Sequence, residues 1–456
     1  MNQSSSTFRP ASKLGIWGWV MFDWACQPFF TLVTTFVYAP YFAAAIVGDG
    51  AQGQALWGYA AGVAGLVVAL FSPILGAVAD ATGRRKPWIA AFGILFVAGS
   101  WLLWEGRPGE SDTIIIALAA FALASIGVEF ATVFNNSMMP TLVPAERLGR
   151  LSGLGWGMGY LGGLLSLVLT LGFLAANPDT GRTLLGFDPW FGLDAAQREG
   201  DRVTGPLTAI WFIVFVLPLF LFTPDGKKAM KLIPAVRAGL SNFAAMVREV
   251  RKHRNRMIFL LANMIYMNGL GALFAFGGIY AATTFGWGTI EMGLFGIFIV
   301  IASTIGALSG GPLDDKIGSK PVILGALAIL IVMSVSIVMV DRGSIFTFSV
   351  TPKAADAGLF GSLPEKLYLL FGAAIGTAAG PLQASSRTLL ARLAPRDQIG
   401  QFYGLFALSG KLTSFAGPIA VAAVTTISQS QRAGFSVLIV FLGVGALLLA
   451  MVKARA

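Results

Sequence analysis

Twelve times along the chain, an apolar run long enough to cross about 30 Å of hydrocarbon ends in a short polar segment. The runs fall at residues 15–45, 55–79, 88–104, 113–140, 150–175, 207–223, 257–284, 289–312, 321–340, 366–391, 401–427 and 432–452. Lipid offers no partner to a backbone N–H or C=O, and an α-helix satisfies both within one segment. Such runs are therefore predicted to be membrane-spanning helices. Composition agrees: 56% of residues are hydrophobic and 12% are charged, about half the charged share of a soluble domain. The predicted fold class is an all-α polytopic membrane protein of twelve transmembrane helices in two six-helix bundles.

The basic residues set the expected orientation. Placing both termini and the loops after even-numbered runs on one side collects most of the 32 Lys and Arg there. Arg84, Arg85, Lys86, Arg147, Arg150 and the cluster from Lys227 to Arg256 all fall on it. Positive loops stay in the cytoplasm, so both termini are expected to be cytoplasmic. The net charge of +10 is thereby read as topology, and no nucleic-acid partner is expected.

Segment 224–256 divides the chain. The expected organisation is a tail at 1–14, one bundle at 15–223, this basic linker, a second bundle at 257–452 and a tail at 453–456. Ala235, Leu240, Phe243, Met246 and Val250 have amphipathic spacing, so the linker reads as a surface helix held near anionic lipid. His253 within it reads as a solvated surface residue. The polar start, MNQSSSTFRPASK, is not followed by a short apolar core with a cleavage site, and no removable signal peptide is expected. One cysteine, Cys26, and one histidine exclude a disulfide within the chain, an HExxH zinc site and His-based catalysis. No enzyme activity, cofactor or metal is expected. The expected setting is a multi-pass protein of a bacterial inner membrane, working as a monomer, with the bilayer and a small-molecule solute as partners.

The second half repeats features of the first. Gly76-x-x-x-Asp80-x-x-Gly83-Arg84-Arg85-Lys86 follows the second run, and a weaker copy containing Asp315 follows the eighth. Pro144…Gly149…Gly153 precedes the fifth run, and Pro395…Gly400…Gly404 precedes the eleventh. The offsets are 235 (80 to 315) and 251 (149 to 400). A duplicated six-span unit points to a transporter with its site near the midplane between the halves.

The loop pattern resembles the cytoplasmic signature of the major facilitator superfamily. In that setting Gly76 permits close helix approach, and Asp80 pairs with an arginine or caps a neighbouring helix N-terminus. Gly83 makes the turn, and Arg84, Arg85 and Lys86 anchor the loop at the lipid surface. Further stretches narrow the likeness: Phe22-Asp23-Trp24-Ala25 with Pro28-Phe29, Gly149-Arg150-x-Ser152-Gly153-Leu-Gly155-Trp156…Gly159-Tyr160, and Gln383-Ala-Ser-Ser386-Arg387…Phe402-Tyr403-Gly404…Gly410-Lys411. These resemble the vacuolar amino-acid effluxer (autophagy-related) family and its bacterial relatives. The resemblance implies the twelve-helix major facilitator fold and secondary transport. Asp23 and Ser72-Pro73…Lys86-Pro87-Trp88 carry a more distant likeness to sugar–cation symporters. The fifth run lacks the Gly-Pro pair of the antiporter pattern, so antiport is not expected.

Four ionisable residues lie inside runs: Asp23, Glu129, Arg387 and Lys411. Each costs about 2.5–3.5 kcal/mol at a helix centre facing lipid, so each is expected to point inward toward a partner or a cavity. Gln27 stands one turn from Asp23, Asn136 two turns from Glu129, and Gln383 one turn from Arg387. Asp23 or Glu129 is expected to carry a proton, with sodium as the alternative coupling ion. Arg387 and Lys411 are expected to present positive charge to an anionic group of the substrate. The competing reading makes each a structural salt bridge, with Arg387 close enough to the cytoplasmic end to snorkel. Trp19, Trp24, Trp156 and Tyr160 are candidate cavity aromatics, against the alternative of packing.

The expected function is proton-coupled secondary transport of a small polar solute, with an amino acid or other zwitterion or anion favoured. A sugar or organic-anion symporter of the same fold is the alternative. A transport-dead sensor signalling through 224–256 is the rival from another class.

Overall fold

A computed structural model describes residues 10–248, 253–287, 289–351, 358–414 and 416–453. Among them, twelve helical spans are long and apolar enough to cross a membrane. The first six are α1 (Lys13–Val47), α2 (Gln52–Thr82), α3 (Lys86–Glu105), α4 (Thr113–Leu142), α5 (Ala145–Leu174) and α6 (Glu199–Phe222). The linker helix is α7 (Leu232–Arg248). The last six are α8 (Arg254–Phe285), α9 (Glu291–Ile317), α10 (Ser319–Val338), α11 (Leu363–Leu393), α12 (Arg396–Ser428) and α13 (Gln431–Ala450). A small antiparallel sheet of β1 (Val340–Asp341), β2 (Ser344–Ile345) and β3 (Phe348–Ser349) follows α10.

The span edges depart from the sequence reading where polar residues find local partners. The sixth starts at Glu199 and not at 207. Its extra turn holds Arg202, whose guanidinium donates to the Trp104 carbonyl and stacks 4.4 Å from the Trp104 ring. Paired in this way, an arginine no longer breaks an apolar helix. His253, read as solvated, is half-buried and meets Phe402 edge-on at 6.0 Å.

Two long spans are interrupted. In α1 the helix ends at Val37, where φ is −123° and ψ −67°. Pro40 lies in the next short turn and supplies no N–H to the carbonyl four residues back. In α12 one segment ends at Lys411 and the next starts at Ala416. Pro418 sits in the first turn of the second segment, where proline is tolerated.

The helices pack as two sets. Helix α1 lies against α5 and α6, α4 against α2 and α3, and α3 against α6. In the second set α8 lies against α13, α11 against α9 and α10, and α13 against α10 and α12. The sets meet along two seams, α5 with α9 and α11, and α12 with α2 and α4. Glycine sets the closeness of each seam. A Cβ on Gly153 of α5 would lie 2.5 Å from the Ala307 carbonyl oxygen of α9. A Cβ on Gly404 of α12 would lie 2.2 Å from that of Ser72 in α2. Both distances are shorter than any real contact, so the backbones touch directly, the packing mode that membrane helices use.

The basic loops share one end of the molecule. Ala11 N–H donates to Leu142 O, Lys320 Nζ to Val452 O, and Asn255 Nδ2 to Lys453 O. We call this end the basic face. Its two sets are drawn together, and the site lies above that closure.

Candidate functional site

The closure is built twice. Asp80, at the basic end of α2, accepts the backbone N–H groups of Gly400 and Gln401 at 2.9 Å each. Asp315, at the basic end of α9, accepts those of Gly149 at 2.8 Å and Arg150 at 3.1 Å. The two acids are 235 residues apart and the two capped glycines 251 apart, so each half caps a helix start of the other by the same contact. A carboxylate at a helix N-terminus meets unpaired donors and the positive end of the helix dipole. Gly76 lies so close to the Gly400 carbonyl that a Cβ would stand 2.2 Å from its oxygen.

Arginines back both acids. Arg85 pairs with Asp80 and donates to Ser137 at 3.0 Å. Burial pushes its guanidinium pKa down, against the opposing pull of Asp80 and Asp225. The expectation that Arg84 to Lys86 anchor to lipid therefore needs correction. Arg84 is exposed, but Arg85 turns inward, and Lys86 Nζ donates to Phe220 O at 3.0 Å. Gly83 takes the expected turn, with φ at +79°. In the second half Arg392 pairs with Asp314 at 2.6 Å and lies 3.7 Å from Asp315.

Above the closure, Asp23 of α1 meets Arg387 of α11 at 3.0 Å. The guanidinium also donates to Asn136 Oδ1 at 3.1 Å, Ser152 Oγ at 2.9 Å and Ser152 O at 2.8 Å. It stacks 5.1 Å from Trp19 and 5.9 Å from Trp156. Asn136 and Arg387 are themselves 251 residues apart and occupy matching positions of the repeat. The Arg387 side chain is only 4% exposed. It lies six residues from the end of α11, and its partners come from α1, α4 and α5, so it does not snorkel. Ser152 was missed from sequence as a partner, although it lies one turn before Trp156 on the same helix.

A second layer lies one to two turns farther from the basic face. Glu129 of α4 pairs with Lys411 of α12 at 2.6 Å, and the lysine side chain is 36% exposed. Glu129 precedes Asn136 by seven residues, about 10 Å along the helix. Gln383 Nε2, one turn from Arg387, donates to Tyr160 Oη at 2.7 Å and so joins α11 to α5. Gln27, one turn from Asp23, lies against the Gly159–Gly163 stretch of α5. The Trp156 and Tyr160 rings meet at 5.8 Å, tilted by 41°, and Trp156 Nε1 is buried without an acceptor among the described residues. Tyr160 and Lys411 are again 251 apart.

Trp24 stands apart from this group. It stacks on Trp211 of α6 at 5.8 Å and meets Phe215 edge-on, inside the first bundle. Trp19 lies one turn before Asp23 and shares its face, whereas Trp24, five residues after Trp19, points about 140° away around α1. Among the described residues no group of three His, Cys, Asp or Glu could hold a metal ion.

Comparison with known proteins agrees with this architecture. The family model described as "Vacuole effluxer Atg22 like" matches residues 43–456. An uncharacterised MFS-type transporter, YxiO of Bacillus subtilis, is 23% identical over 95% of this chain and 94% of its own. The structure of the human organic anion transporter MFSD10 superposes with a TM-score of 0.69 at 15% identity, over 97% of this chain and 100% of that one. FucP, a major facilitator transporter in its outward conformation, superposes with a TM-score of 0.68 at 13% identity, over 97% and 99%. A duplicated six-helix unit, ion pairs joining its halves and a family match across nine-tenths of the sequence make this chain a membrane transporter of the Atg22-like family, within the major facilitator superfamily.

Proposed function

We propose that the protein is a proton-coupled secondary transporter of a small zwitterionic solute, with amino acids as the favoured class. One observation carries the reading. Two carboxylates and two cations are paired across the bundle interface, and the Glu129–Lys411 pair is partly open to solvent. A zwitterion carries the same two charges at a similar separation. Its carboxylate replaces Glu129 on Lys411, and its ammonium group replaces Lys411 on Glu129. The exchange leaves no charge unpaired, which a neutral sugar or a simple anion does not achieve. Trp156, Tyr160 and Gln383 supply aromatic and amide contacts for the rest of the solute.

Coupling follows from the same pair. A carboxyl group freed from its lysine in a dry site favours protonation, and renewed contact with water and lysine favours release. Glu129 is the preferred carrier because its partner Lys411 is 36% exposed, against 4% for Arg387, the partner of Asp23, and Asp23 is the second. Rocking of the two bundles about the α5–α9 and α2–α12 seams then presents the site to each side in turn. We place the basic face in the cytoplasm and the protein in a bacterial plasma membrane. The loop charges support that orientation, and the full-length relative from Bacillus subtilis supports that location.

Uptake of labelled amino acids into proteoliposomes tests the reading. A pH gradient should drive accumulation in the native protein. Glu129→Gln should lose accumulation while retaining exchange between labelled and unlabelled solute. Unchanged gradient-driven uptake in both Glu129→Gln and Asp23→Asn overturns proton coupling through this site.

A further inference from the structure

The linker helix α7 carries two adjoining apolar surfaces. Ala235, Gly239 and Phe243 recur every four residues and face α2. Ala235 is fully buried, and a Cβ on Gly239 would lie 2.8 Å from the Val78 backbone nitrogen. Ile233, Val236 and Leu240 lie beside that face and stay exposed, Ile233 by 84%. The side chains of Met246 and Val250, which the sequence placed on the same stripe, lie outside the described residues. On α2, Val78 falls two turns from Phe71, which is half exposed on the outer surface. Helix α7 thus adds an exposed apolar surface beside the basic end of α2.

An open groove of about 400 Å³ runs along α7, lined by Met230, Ile233, Pro234, Arg237, Ala238 and Ser241. Lys227, Lys228 and Lys231 stand exposed at its N-terminal approach. Apolar floor, guanidinium, hydroxyl and three ammonium groups match an acyl chain joined to a phosphodiester.

The same segment is tied to the Asp80 closure. Ala229 N–H donates to Thr82 O at 3.0 Å. The Asp225 carboxylate accepts the backbone N–H groups of Arg85 at 2.8 Å and Lys86 at 3.2 Å. Arg85 in turn pairs with Asp80, which caps α12. We infer that the α7 groove seats an anionic phospholipid from the leaflet on the basic face, and that the seated lipid holds this face closed. The link is thermodynamic: a ligand that binds α7 better when residues 225–229 are fastened to the 83–86 loop shifts the population toward the fastened state.

Backbone hydrogen exchange on the full-length protein tests this. Vesicles of phosphatidylcholine alone are compared with vesicles containing phosphatidylglycerol. The anionic lipid should slow exchange about tenfold in segments 226–241 and 398–404 together. The double variant Lys231→Glu with Arg237→Glu should lose that slowing while keeping the native melting temperature in detergent, since both side chains are exposed. Equal exchange in the two vesicles overturns the proposal. So does slowing that persists in the variant, or slowing produced by inorganic phosphate with neutral vesicles. Slowing confined to 226–241 overturns the link to the closure.

Discussion

Asp23–Arg387 and Glu129–Lys411 both join a carboxylate of the first bundle to a cation of the second. Their surroundings are opposite. Arg387 is 4% exposed, makes four polar contacts in addition to two indole faces, and lies close above the closure. Lys411 is 36% exposed and makes its ion pair at the broken end of a helix, with Glu129 about 10 Å farther from the closure than Asn136. The difference teaches how one interface can be held and opened. A buried, fully coordinated pair is costly to split from one side, whereas a half-wet pair exchanges its partner for solvent or solute at little cost.

Mutation can break that contrast. Arg387→Ala removes a buried guanidinium and leaves Asp23, Asn136 and the Ser152 carbonyl without their shared donor, and should destabilise the fold by about 3 kcal/mol. Lys411→Ala should cost about 1 kcal/mol or less, because the lysine is 36% exposed and gains only one ion pair. Denaturation of the two purified variants in one detergent measures both, and equal losses would remove the distinction between holding pair and binding pair.

Binding should show the reverse order. Under the proposed function, Lys411→Ala would delete a charged hydrogen bond to the solute carboxylate, worth about 2–3 kcal/mol, or roughly 30- to 150-fold in affinity. A neutral ester of the same solute should be almost unaffected, and calorimetry with the acid and ester pair reads the ratio. The smallest effect is expected at the bridge between layers. Gln383→Leu removes the bond to Tyr160, about 1 kcal/mol, and should raise KM about fivefold in the uptake assay with the pH dependence retained. A change in pH dependence there would move proton handling out of the Glu129 layer.

The architecture was largely legible because lipid imposes a length rule on every span, and the duplicated Asp80 and Asp315 loops reveal the repeat. The polar face around each charge was legible as well, since residues four and seven apart share one side of a helix. The partners were not. Nothing in one helix states that Arg387 is met by α1, α4 and α5 at once, so counting from its own helix end placed it near water. The break in α12 had a signal in Gly410 and Pro418, which was read as continuous span because the apolar run passes through it. Trp19 shares a helical face with Asp23 while Trp24 does not, and the structure seats Trp19 beside Arg387 and Trp24 against Trp211 of α6.

The interruption after Lys411 has a consequence for the economy of movement. Beyond it, α12 continues as a thirteen-residue segment, Ala416–Ser428, in which Gly417 and Val421 are the buried positions. The described residues just after Lys411 keep single turn bonds, Leu412 N–H to Leu408 O and Ser414 N–H to Lys411 O, in place of a continuous helical ladder. Under the proposed function, a local swing of that short segment would close over the solute before either half of the molecule turns. Trapping would then be separate from crossing, and Lys411, at the end of the first segment, would serve both.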